Sequence, residues 1–222
     1  MIAASRTPII LAMHFFKDWI PDHQDGSAGS RYSIDDDAEL PELLRPETPL
    51  EERLLEQPEF VHGLMWGQPR FGHPEGKVAL HIREVFDNID RLHLPTSLRL
   101  QLRLIALVHD TFKYQEAKTY PRDWSNHHGV LARRFLENFT QDNAVLTIVE
   151  LHDEAYYAWR TIHLYKKTAK GEARLHRLLL RLGDNLPLFY LFFLCDTRTG
   201  DKNLAPLRWF EQAIPEIQAI PL

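Results

Sequence analysis

The chain has little cysteine and no long hydrophobic run. Its 222 residues contain one cysteine, Cys195, which excludes an intramolecular disulfide and a cysteine-paired zinc site and makes a reducing, cytoplasmic setting the default expectation. The longest apolar runs, residues 9–16 and 186–195, are too short to span a bilayer, so no membrane partner is expected. No small-residue cleavage site closes the first run, which argues against a secretory signal peptide.

Long blocks of one charge are also absent. Lysine and arginine total 26 against 31 acidic residues, a net charge of -5. A protein that binds long nucleic acid needs a basic stripe, and none is visible, so no long nucleic acid is expected as a partner. A small phosphorylated ligand needs only a local basic pocket and stays compatible. Because cysteine pairs are lacking, any metal must be held by imidazole and carboxylate, and the chain has twelve histidines.

The first 70 residues differ in pattern from the rest. Prolines 41, 46, 49 and 58 and the acidic run at 35–37 are expected to interrupt any long helix. Residues 1–70 are therefore predicted to be an irregular N-terminal extension with one short helix at 50–55, and residues 71–222 to be a helical domain. Both parts together are of ordinary globular composition, 44% hydrophobic and 26% charged.

Apolar residues recur at helical spacing after residue 77. Val78, Ile82, Val85 and Ile89 give one apolar face, and residues 186–194 are apolar on every side, as in a helix at the centre of a bundle. Further helices are predicted at about 95–109, 126–136, 142–151, 172–182 and 204–213. No alternating run indicates a strand, so the predicted fold class is all-α.

Four predicted helices each bring a histidine or aspartate to an apolar face or end. His109 and Asp110 end the helix that contains the apolar run 104–108, His81 and His152 lie beside inward-facing residues, and Asp196 ends the most apolar helix. A lone histidine at such a place is more often a hydrogen-bonded core residue than a ligand. A carboxylate in apolar surroundings, however, needs a partner or a cation. One shared cation would account for all of these residues together.

Their order along the chain resembles the HD-domain superfamily of metal-dependent phosphohydrolases. His73-Pro-Glu-Gly-Lys-Val-Ala-Leu-His81 looks like the segment around the first family histidine, and Val-His109-Asp110-Thr-Phe-Lys113 is similar to the HDxGK stretch, with Phe112 where glycine is usual. His127-His128-Gly and Glu-Leu-His152-Asp153 look like the helices bearing the third and fourth histidines. The resemblance covers roughly residues 70–200 and implies an HD-type helical bundle.

The resemblance also implies a metal site. His81, His109, Asp110 and Asp196 would be the ligands of one ion, and His127 or His128 would join His152 at a second, with Asp110 bridging. Whether one or two ions bind stays open, as does the choice between His127 and His128. Nitrogen and oxygen ligands together suit Mn, Fe, Ni, Co or Zn better than Mg.

Hydrolysis of a nucleotide or another small phosphate ester by a metal-activated water is the function that the resemblance implies. Lys113 is the first candidate for binding phosphate, with Arg83, Lys118 and Arg198 as weaker ones. Asp153 is expected to act as an acid or base or to orient His152. Two alternatives remain: a non-catalytic nucleotide-binding regulatory module, and a di-iron oxygenase on the same fold. The aromatic side chains Trp66, Trp209 and Phe210 could form a homodimer surface.

Overall fold

The computed structural model describes residues 31–117, 119–214 and 217. In this part of the chain the regular structure is helical, without any β-strand, and an isolated β-bridge pairs Arg70 with His73. The predicted all-α class is therefore confirmed. Residues 1–30, which the predicted N-terminal extension includes, lie outside the described residues.

The described part of the N-terminal segment is more regular than expected. It forms α1 (Leu40–Leu44), α2 (Pro49–Leu55) and α3 (Pro58–Met65), where one short helix was predicted. Each of these helices has a proline in its first turn. Proline is well tolerated there because the first amides of a helix have no partner within the helix. The prolines thus begin helices that the sequence pattern suggested they would interrupt.

This segment is joined to the main body through α4 (Val78–Asp90) and α5 (Thr96–Val108), because α1 and α3 pack against α4. The guanidinium of Arg103, on α5, lies 3.9 Å from the ring centroid of Phe86 and is paired with the buried carboxylate of Glu51. Arg103 also donates to the backbone carbonyls of Leu44 and Arg45. Residues 31–65 are therefore part of the same core.

The next four helices form two pairs: α6 (His128–Leu136) packs against α7 (Asn143–Leu151), and α8 (Glu154–His163) against α9 (Thr168–Leu182). Asp142 caps α7 with two hydrogen bonds from backbone amides, as its type and position predict. The helix α8 was not predicted. Its buried side chains include Ala155, Ala158 and Thr161, small residues that do not mark an apolar face in the sequence.

The chain continues with α10 (Leu186–Thr197) and α11 (Ala205–Ala213). All residues of α10 from 188 to 195 are buried, against α4, α5 and α11 among others, which confirms the expected central helix. Helical residues run from Thr168 to Thr197, long and apolar enough to cross a membrane, but 56% of the most apolar window is buried inside the protein and a 3-10 turn at Gly183–Asn185 divides it. That combination is common in core helices.

The homodimer surface suggested from the sequence is only partly available. Phe210 is fully buried between Phe189 and Phe193, at ring-centroid distances of 5.7 and 5.5 Å. It therefore belongs to the core, since its neighbours on α10 cover it. Trp66 remains 37% exposed.

Candidate metal centre

Helix ends bring most of the candidate ligands together. His109 and Asp110 directly follow α5, His152 and Asp153 directly follow α7, His128 is the first residue of α6, and Asp196 lies in the last turn of α10. His81 comes from the first turn of α4. These side chains are mostly buried and converge on one place, although they are separated by up to 115 positions in the chain.

The first group of donor atoms contains two imidazoles and two carboxylates. His81 Nε2 lies 2.9 Å from Asp196 Oδ1 and 3.9 Å from Asp110 Oδ2. His109 Nε2 lies 3.4 Å from Asp110 Oδ2 and 3.7 Å from Asp196 Oδ1. The four residues for which the resemblance implied one metal site are thus in mutual contact.

The second group of donor atoms surrounds Oδ1, the other carboxylate oxygen of Asp110. Asp110 Oδ1 is 3.3 Å from His128 Nε2 and 3.4 Å from His152 Nε2. Asp153 Oδ2 lies 3.5 and 3.8 Å from these two nitrogens. Asp110 therefore stands between the two groups and presents one oxygen to each, as a bridging ligand would.

The protonation of two imidazoles follows from their hydrogen bonds. His109 Nδ1 lies 2.8 Å from the carbonyl of Ala106, and His152 Nδ1 lies 2.8 Å from the carbonyl of Val149. A carbonyl can only accept, so each Nδ1 carries the proton and donates it. When neutral, both imidazoles then present Nε2 as a bare lone pair to the cluster, the form that binds a metal.

The second group contains a contact that a cation would explain. His128 Nδ1 lies 2.5 Å from Glu116 Oε2 and so also carries a proton, which leaves its Nε2 facing His152 Nε2 at 3.0 Å. Two neutral imidazoles would repel each other there. Nitrogen ligands of one metal at about 2.1 Å stand roughly 3.0–3.4 Å apart for right-angle to tetrahedral geometry. The observed spacing fits a shared metal.

Two atoms of the cluster are buried without a hydrogen-bond partner in the described part of the chain, as metal ligands are when no ion is present. His109 Nε2 and Asp110 Oδ1 are buried and have no hydrogen-bond partner among the described residues. Buried polar atoms are rarely left in this state. Their presence in both donor groups supports the fit of the cluster to a metal.

Hydrogen bonds also distinguish the two adjacent histidines at the start of α6, His127 and His128. His127 Nδ1 accepts from the amide of Gly129 at 3.1 Å, so the proton of a neutral His127 lies on Nε2, which faces the hydroxyl of Tyr157 and Asp153 Oδ2. His128 has the opposite arrangement and points its free nitrogen at Asp110. Of the two candidates, His128 has the geometry of a ligand, and His127 has that of a supporting residue.

The carboxylates of the cluster are ionised. Burial raises the pKa of Asp110, but His109 and Lys113 outweigh burial and hold that pKa well below its usual range. Burial likewise raises the pKa of Asp196, which Lys202 and the neighbouring histidines lower far more. Burial lowers the pKa of His109, yet Asp110 and Asp196 raise it to about 9. The site therefore favours positive charge, supplied by protons or by a metal ion.

Two lysines contact these carboxylates. Lys113 Nζ is hydrogen-bonded to Asp110 Oδ2, and Lys202 Nζ lies 2.9 Å from Asp196 Oδ1. Lys113 was predicted for this place, and Lys202 was not. The signal that could have found Lys202 is its position six residues after Asp196, in a loop that returns over the cluster.

Two glutamates beside the cluster were also missed. Glu75, 5% exposed, has Oε1 3.4 Å from His81 Nδ1 and 3.0 Å from His73 Nδ1. Glu116 holds His128 Nδ1, as described above. A carboxylate behind a ligating imidazole fixes the ring and makes it a better ligand. Both residues come from loops, where helical periodicity gives no guide to direction.

Of the remaining phosphate-binding candidates, the two that lie in the described part of the chain are not brought to the cluster. Arg83 follows His81 by two positions and so lies on another side of α4, where its guanidinium is 2.6 Å from Asp87. Arg198 is half-buried, and its charge interacts with Tyr190, Glu211 and Cys195. Lys118 lies outside the described residues.

Several other polar residues have ordinary environments. His93, His163 and His176 are exposed and stand apart from the buried cluster. Cys195 is buried in α10, and burial raises the pKa of its thiol, so it is a core residue.

The centre lies at the base of a cavity of about 480 Å³, whose polar lining includes Lys113, Asp153, Asp196 and Lys202. Comparison of the chain with models of known protein families, with curated proteins and with solved structures finds no match. A function for this protein must therefore be inferred from the geometry of the site. Buried histidine and aspartate groups that could hold metal ions line a cavity.

Proposed function

We propose that this protein is a metal-dependent phosphohydrolase that cleaves a small phosphate ester. The observation that carries the proposal is the pair of donor groups that share Asp110, placed at the base of a cavity beside the ammonium groups of Lys113 and Lys202. The resemblance of the sequence to HD-domain phosphohydrolases supports the same reading.

The donor set favours particular metals. His81, His109, Asp110 and Asp196 would hold one ion, and Asp110, His128 and His152 a second, with Asp153 beside it. Mixed nitrogen and oxygen ligands favour Mn, Fe, Ni, Co or Zn, whereas Mg prefers oxygen alone. Separation of the two groups onto the two oxygens of one carboxylate supports two ions.

A bound metal would lower the pKa of a coordinated water and polarise the phosphoryl group. The chain's own residues would do the rest. Lys113 and Lys202 line the cavity and would exchange their carboxylate partners for phosphate oxygens, which stabilises the charge that develops during transfer. Asp153 is ionised, because neighbouring histidines and Lys113 outweigh its burial and lower its pKa. Its carboxylate would hold His127 Nε2–H and stands where a water proton could be accepted.

Metal content and phosphate release test the proposal. Purified protein, stripped with a chelator and reloaded with Mn or Zn, would be assayed with an aryl phosphate, and bound metal would be counted by mass spectrometry. We expect Asp110→Asn to reduce both readouts by more than the roughly 10–100-fold typical of residues that only support ligands. His176→Gln, an exposed histidine on α9, is the matched control. Unchanged metal content and turnover in Asp110→Asn would contradict the proposal.

A second function uses the same donor atoms. Oxygen-dependent oxidation by a di-iron centre needs six protein ligands around two ions, and the cluster brings together six: His81, His109, Asp110, His128, His152 and Asp196. Iron retained through purification together with oxygen consumption, and no phosphate release with any metal, would favour this alternative over hydrolysis.

A further inference from the structure

The cavity above the metal centre has a chemically mixed lining. Part of the lining is the charged cluster already described. The rest includes an apolar wall, formed by Phe71, Tyr156, Trp159, Leu164, Phe193 and Pro206. A charged reacting group and an apolar surface thus share one cavity.

The apolar wall is open to solvent. Phe71 is 93% exposed, Leu164 is 56% exposed and Tyr156 is 36% exposed, and all three line this cavity. Large apolar side chains gathered in one exposed place usually mark a binding surface. The loop that carries Phe71 is tied to the loop of Lys202, since the amide of Gly72 donates to Asp201 Oδ1 at 2.7 Å. The apolar wall and the cluster are therefore linked.

A neighbouring groove of about 540 Å³ shares Trp159 and Asn203 with the cavity. Its lining is mixed: Leu204 and Trp209 are apolar, whereas His163, Arg208 and Gln212 are polar. Asn203 Oδ1 already accepts the amide of Ala205 at 2.8 Å, so it is occupied at the start of α11. Within the cavity itself, a ligand extending away from the cluster would meet the phenyl, indole and leucyl surfaces of Phe71, Trp159 and Leu164.

We infer that the substrate of the proposed hydrolase is a phosphate ester of a hydrophobic alcohol. This inference rests on the proposed function and adds the leaving group to it. The phosphate lies at the metal centre and the two lysines, and the hydrocarbon part lies along Trp159 and Leu164. Water attacks phosphorus, the bond from phosphorus to the ester oxygen breaks, and that oxygen leaves with a proton as the alcohol, with inorganic phosphate as the other product. A hydrocarbon suits the apolar wall because its binding is favoured by the burial of apolar surface and requires no hydrogen-bond partner.

A chain-length series tests the inference in two ways. Butyl, hexyl and octyl phosphates would be compared with nucleoside 5′-monophosphates for phosphate release by the metal-loaded protein. The corresponding alkylphosphonates, which are not hydrolysed, would be titrated calorimetrically. We expect each methylene that enters the apolar wall to tighten binding by up to about fourfold. The preference for longer alkyl chains should appear as a lower KM and as tighter binding of the phosphonates.

Two leucines provide a matched pair of variants. Leu164→Ser changes a half-exposed wall residue and should flatten the chain-length dependence, and Trp159→Ala should flatten it further. Leu180→Ser changes a 70% exposed leucine on α9 that does not line the cavity, so the dependence should be unchanged. Because Leu164 is largely exposed, its variant is expected to fold.

The outcomes separate the two proposals. Phosphonate affinity that rises with chain length, without hydrolysis of any ester, would reject the hydrolase and retain the apolar site. Hydrolysis that is indifferent to chain length, or that prefers nucleotides to octyl phosphate, would overturn the inference and retain the hydrolase.

Discussion

Replacing Arg103 with methionine should destabilise the protein strongly, although Arg103 is not one of the residues of the candidate metal centre. Its side chain is 1% exposed and pairs with Glu51, which is itself 2% exposed, at 3.1 Å. The variant would leave the Glu51 carboxylate buried without its partner and would remove donors from the carbonyls of Leu44 and Arg45.

The expected loss follows from burial. Removing one partner of a buried ion pair costs about 3–5 kcal/mol, because the other charge stays out of water. For a chain of this size, about 2–4 °C of melting temperature is lost per kcal/mol, so the shift should be about 6–20 °C. Arg99→Met, one turn earlier on α5, is the matched control: Arg99 pairs with Glu47 and Asp90 at the surface, where such pairs contribute about 0–1 kcal/mol.

Urea and thermal unfolding followed by circular dichroism would measure both variants. The double variant Arg103→Met with Glu51→Leu should recover much of the lost stability, since it leaves no unpaired charge. Equal melting temperatures for Arg103→Met and Arg99→Met would refute the reasoning.

Three further predictions concern the site. Glu75→Gln should weaken metal binding about 10–100-fold, because the carboxylate supports the imidazole of the α4 ligand; calorimetric titration with Mn would measure this, and an unchanged affinity would reject that role. His128→Gln should lower the metal count by one ion per chain, whereas His127→Gln should leave it unchanged, and mass spectrometry showing the reverse would exchange their assignments. Gly63→Ala should destabilise the protein by about 1–3 kcal/mol, because the added Cβ would lie 1.9 Å from the carbonyl oxygen of Thr111. Since Thr111 follows Asp110, the variant should also impair metal retention. A normal melting temperature would show that α3 can move away freely.

The residues of the candidate site could be predicted in part because most of the candidate ligands lie at helix ends. His109, His152 and Asp196 each close an apolar helix, and a polar side chain at the end of a buried helix must find a partner near the core. The sequence alone could not choose between His127 and His128. That choice depends on which imidazole nitrogen meets the amide of Gly129 and which meets the carboxylate of Glu116, contacts that exist only after folding.

The residues that the sequence-based prediction of the site missed lie mainly in loops. Lys202 and Glu75 reach the cluster from segments without helical periodicity, where sequence spacing says little about direction. Arg83 shows the converse. Its charge and closeness to His81 in sequence suggested a phosphate ligand, yet a separation of two positions on a helix turns a side chain to a different face, toward Asp87.

By itself the sequence determined the helical class, because apolar residues recur with the period of a helix and such faces must be buried. It also restricted the ligands of any bound metal to imidazole and carboxylate groups, since a single cysteine excludes a cysteine-paired site. The tertiary structure decided that Asp110 stands between two donor groups, that prolines 41, 49 and 58 begin helices, and that an apolar wall rises beside the cluster. These features depend on distances between residues far apart in the chain, which local periodicity does not encode.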